Sequence, residues 1–157
     1  MITEQEMNRT MMTLQIIWAA IMMSLAIYLI AGLLAAPSMP STIGSEAFVA
    51  LRRILYGLAF AALLASRYLK RLILAEKGRA SGPTQARLSS PLPRYTSAVI
   101  ATLALSESVG IFGLVLFLLG KNSTDFYILL GISAAAMIYY RPRKEELNSV
   151  CQSSSPE

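Results

Sequence analysis

The chain has 157 residues, 55% of them hydrophobic and 15% charged, with a formal net charge of +5; soluble domains carry about 25% charged residues, so this is the composition of a membrane protein. Histidine is absent and Cys151 is the single cysteine, which removes histidine acid/base chemistry, His/Cys metal sites and an intramolecular disulfide, and no cofactor is expected. The lysines and arginines gather at the ends of apolar blocks instead of forming a stripe among exposed aromatics, so they indicate a bilayer with anionic headgroups and not nucleic acid.

Residues 1–12 are polar and read as a cytoplasmic tail. The apolar block 13–35 is too long for a signal-peptide core, follows an acidic start, and precedes Pro37 with no small-residue cleavage site, so it reads as a retained first helix. Trp18 and Tyr28 within it read as packing or interface residues. Two prolines, Gly44 and the absence of Lys or Arg mark the next segment as a translocated loop. A second helix is expected over 48–69, with Arg52 and Arg53 one turn inside its start. Gly57, Ala61 and Ala65 follow at four-residue spacing, which lets helix backbones approach closely in lipid.

The segment 67–94 contains Arg67, Lys70, Arg71, Lys77, Arg79, Arg87 and Arg94 against a single acid, Glu76, so the connector 70–96 should be cytoplasmic. Residues 97–119 form a third helix of about 34 Å, against a hydrocarbon core of about 30 Å. Gly120 to Asp125 reads as a tight turn, with Asp125 suited to start a fourth helix over 125–140. That helix ends in Tyr139 and Tyr140 followed by Arg141, Arg143 and Lys144, an aromatic belt beside a basic anchor. Arg67, Lys70, Arg71, Arg141, Arg143 and Lys144 are the expected headgroup contacts. The Ser-rich tail 141–157 reads as disordered. These expectations add up to an all-α, multi-pass protein of the inner (plasma) membrane, with four transmembrane helices arranged as two hairpins and both termini cytoplasmic. The pairing of Ser24 and Tyr28 with Ser108 and Phe112, and of Gly57 and Arg67 with Gly131 and Arg141, leaves a diverged tandem repeat open.

Glu107 lies near the middle of the third helix. A carboxylate at that depth costs on the order of 3 kcal/mol on insertion scales, so it must be neutralised, paired or turned toward partners. Ala104, Gly110 and Gly113 put it on a face that another helix can approach, and Ser106, Ser108 and Thr102 are the nearest hydroxyls. Besides the reading that Glu107 faces a partner protein's transmembrane cation, two readings stand side by side. In one, Glu107 is a reversible proton or cation site, since desolvation favours the neutral carboxyl. In the other it is a structural staple, bonded to hydroxyls or paired with Arg53 or Arg52, and no ion moves. No nucleophile, base and orienting residue occur together, so no enzyme is expected.

The run over residues 104–119, ALSESVGIFGLVLFLL, resembles the carboxylate-bearing helix of the proteolipid (c) subunits of rotary ATP synthases, commonly A-x-x-E-x-x-x-I-Y-G-L-V. The matching positions are Ala104, Glu107, Ile111, Phe112, Gly113, Leu114 and Val115. The resemblance implies that Glu107 binds the transported proton or sodium ion and that the helices form a ring; the small-residue faces of the second and third helices would join the chain to copies of itself or to a larger membrane complex.

Overall fold

The computed structural model describes residues 4–35, 44–75 and 91–153. Among them are five helices and no strand: α1 (Glu4–Ala35), α2 (Ser45–Ala75), α3 (Pro91–Gly120), α4 (Ser123–Tyr139) and α5 (Lys144–Ser153). The first expected loop over 36–43, the middle of the basic connector with Lys77, Arg79 and Arg87, and residues 154–157 lie outside the described residues. By length and composition α1, α2 and α3 can each cross a membrane, over Glu4–Leu34, Glu46–Leu69 and Leu92–Gly120. The fourth apolar helix, α4, measures about 25 Å, at the lower limit for a span.

The ends of the elements depart from expectation for local reasons. Residues 4–12, read as a tail, continue α1, and Met11 and Leu14 are buried there. Helix α3 starts at Pro91, with Pro93 also in its first turn, where amide groups have no partner inside the helix and proline does no harm. Asn122, not Asp125, caps α4: its Oδ1 accepts from the Thr124 and Asp125 amides, and Asp125 sits inside the first turn. The turn before it is closed by Lys121 at φ 52°, a left-handed conformation, with its amide on the Phe117 carbonyl at 2.8 Å. Residues 144–153, read as disordered, form α5, whose Leu147 is fully buried against the start of α3.

Helix α3 is the centre of the bundle and packs on α1, α2 and α4. Helices α3 and α4 form a close hairpin. The first two helices do not repeat that arrangement, because α2 lies along α3 rather than along α1. Two apolar cores result. One joins α1, α3, α4 and α5 through Leu14, Tyr95, Leu103, Met137 and Leu147. The other joins α2, α3 and α4 through Leu55, Ala59, Val109, Leu116 and Leu129. The outward faces carry large apolar side chains such as Leu34, Phe60 and Ile138, the surface that lipid tails solvate.

Lipid supplies little hydrophobic drive for helix association, so close packing and polar contacts hold such bundles together. Gly110 packs on Leu25 and Ser133, and Gly113 on Leu129 and the Phe126 carbonyl, as the small-residue face of α3 predicts. Ala104, assigned to the same face, is exposed instead, and so are Gly57, Ala61 and Ala65 on α2. A Cβ at Gly57 would meet nothing. Polar contacts add to this packing: Trp18 Nε1 donates to the Met137 carbonyl at 2.9 Å, and Ser133 Oγ to the Ser106 carbonyl at 2.6 Å. Each contributes about 0.6 kcal/mol in a membrane bundle.

Candidate functional site

Glu107 lies near the middle of the Leu92–Gly120 apolar stretch and is partly buried, on the side of α3 that faces α1. Two hydroxyls from α1 reach its carboxyl group. Ser24 Oγ is 2.5 Å from Oε1, and Tyr28 OH donates to the same atom at 2.9 Å. Ser24 and Tyr28 are four residues apart, so one face of α1 presents both at the same depth. Gly110, one turn along α3, removes the side chain that would otherwise hold Leu25 and α1 away.

The hydroxyls of α3 itself do not take part. Thr102 Oγ1 donates to the Ala98 carbonyl, Ser106 Oγ to the Thr102 carbonyl and Ser108 Oγ to the Leu105 carbonyl, at 2.7, 2.9 and 2.8 Å. A short hydroxyl on a helix finds its own backbone first. The three residues expected around Glu107 are thus replaced by Ser24 and Tyr28 from the neighbouring helix.

The expected ion pairs with Glu107 are also corrected. Arg52 binds a different acid: its Nη2 is 2.8 Å from Oδ1 of Asp125. Asp125 is fully buried and also accepts from Tyr56 OH and Asn122 Nδ2, each at 2.9 Å. Arg53 points to an exposed face of α2 and has no contact with Glu107. Successive helical residues point about 100° apart, so only one of the adjacent arginines can face the bundle.

Chemically, the Glu107 site offers one oxygen that neutral hydroxyls surround and a second oxygen, Oε2, that they leave open. Ser24 Oγ is also 2.6 Å from the Ile21 carbonyl, so one hydroxyl proton stands between two acceptors. A neutral Glu107 resolves this by supplying a proton of its own. An ionised Glu107 competes with the Ile21 carbonyl for the Ser24 proton. Among the described residues no three His, Cys, Asp or Glu side chains come together as a metal site.

Sequence reasoning missed Ser24, Tyr28 and Tyr56. The available signal was a tyrosine at mid-span, far from either interface, with a serine one turn away on the same face. No family model matches the sequence, and no significant match was found among curated proteins or solved structures, so the reading of this site rests on its own chemistry.

Proposed function

We propose that the chain is a small, non-enzymatic, multi-pass protein of the inner membrane, with both termini cytoplasmic, whose Glu107 reversibly binds a proton or a monovalent cation. The observation that carries this reading is the set of partners around the carboxyl group: two neutral hydroxyls on one oxygen and no cation. A permanently charged carboxylate at that depth calls for a compensating charge. A carboxyl that exchanges a proton needs neutral donors for its ionised form and a proton acceptor for its neutral form, and Ser24 serves as both. The resemblance of residues 104–119 to an ion-binding helix points the same way. Contact with other copies, or with a larger complex, would use the exposed small residues Gly57, Ala61 and Ala65.

A hydrophobic carbodiimide, which reacts with the neutral carboxyl, tests this in the reconstituted protein. Glu107 should label at low pH and progressively less as pH rises or as sodium is added, and Tyr28→Phe should move that profile. Labelling that ignores pH, sodium and Tyr28 reduces the clasp to a structural tie between α1 and α3.

A further inference from the structure

The basic residues near the ends of α2 and α4 were expected to meet the membrane surface as a diffuse set, but the fold sorts them. Arg141 lies over the Trp18 ring at 5.4 Å, and Lys144 Nζ donates to Asn8 Oδ1 at 3.3 Å, both toward α1. Arg67 and Arg71, one turn apart on α2, instead meet Arg143 from the α4–α5 corner around a cavity of about 240 Å³ that Tyr139, Tyr140 and Glu146 complete. Arg67, Arg71 and Arg143 are exposed, and none of the three is in an ion pair among the described residues.

We propose that this cavity binds the phosphate of an anionic phospholipid headgroup. Three guanidinium groups from two directions match the oxygens of a phosphate diester, which arginine engages in a planar, two-point fashion. Glu146 is the one acid among three arginines, so the lining keeps a net positive balance. The position argues for a lipid over a free anion. Tyr139 is 70% exposed although it forms one wall. On α2, Leu64 and Phe60 continue the helical row of Arg67 and Arg71, and both are exposed. On α4, Ala135 and Gly131 continue the row of Tyr139, also exposed. Both helices pack on α3 and are linked by side chains, Tyr56 to Asp125 near one end and Ser66 to Tyr140 near the other. An acyl chain hanging from a phosphate in the cavity would lie along these exposed apolar rows. The site is separate from Glu107 and stands whatever Glu107 binds.

Native mass spectrometry of the full chain, stripped in neutral detergent and titrated with phosphatidylglycerol, phosphatidylcholine or inorganic phosphate, tests the assignment. One phosphatidylglycerol should be retained in preference to phosphatidylcholine. Its affinity should fall about tenfold in Arg143→Gln and further in the Arg67→Gln, Arg71→Gln double variant. The Arg141→Gln, Lys144→Gln double variant removes as much charge and should retain the lipid. Helical circular dichroism of each variant guards against a folding artefact. Equal losses in the two double variants would reduce the site to general surface attraction and overturn it, as would equal retention of phosphatidylcholine. If inorganic phosphate alone binds as tightly as the lipid, the anion site stands and the lipid assignment falls.

Discussion

Asp125 and Glu107 are both acids on apolar helices, and the bundle treats them in opposite ways. Asp125 is fully buried at the start of α4, where an arginine, a phenol and an amide all point at it. Glu107 is less buried, yet it lies in the middle of α3 and receives only neutral hydroxyls. Near the end of a span a long cation can reach inward while part of it stays solvated, and the Arg52 side chain is indeed 47% exposed. At mid-span a cation would have to be wholly desolvated. The first acid is thus compensated in place by a cation, and the second is met by neutral hydroxyls alone.

The comparison can be broken most forcefully at Arg52. Arg52→Leu leaves Asp125 buried with only Tyr56 and Asn122, and should lower stability by about 2–4 kcal/mol in micelle unfolding followed by circular dichroism. Adding Asp125→Asn should return more than half of that loss; a double variant no better than the single one would show that no charge pair is at work. Asp125→Asn alone removes a charged hydrogen bond and should cost about 2 kcal/mol by the same measurement. Tyr28→Phe deletes one neutral hydrogen bond to Glu107 and should cost about 1 kcal/mol. The smallest effect sharpens the contrast most. Glu107→Gln, the same change of acid to amide made at mid-span, should move stability by less than about 0.5 kcal/mol while abolishing carbodiimide labelling. A loss as large as that for Asp125→Asn would mean that Glu107 is held as a fixed charge.

The apolar blocks and the depth of Glu107 were legible because both depend on residue order alone. The partners of Glu107 were not, because they depend on which helix lies next to α3, and the long basic connector places no limit on that. Adjacent arginines posed a similar problem: Arg52 and Arg53 differ only by a rotation about α2, which becomes defined when α2 settles against α3 and α4. Pro91 and Pro93 fall within the connector expected over 70–96, although a helix's first turn accepts both. Helix α5 left even less trace. Its anchoring rests on Leu147, and the helical spacing of Leu147, Val150 and Cys151 covers too short a stretch to stand out in a Ser-rich tail.

That anchoring has a consequence for how the molecule is made. Met11 and Leu14, near the start of α1, share one cluster with Leu147 of α5, far along the chain. The start of α1 therefore cannot finish docking until α5 has been made, and until then the nascent protein keeps that patch uncovered.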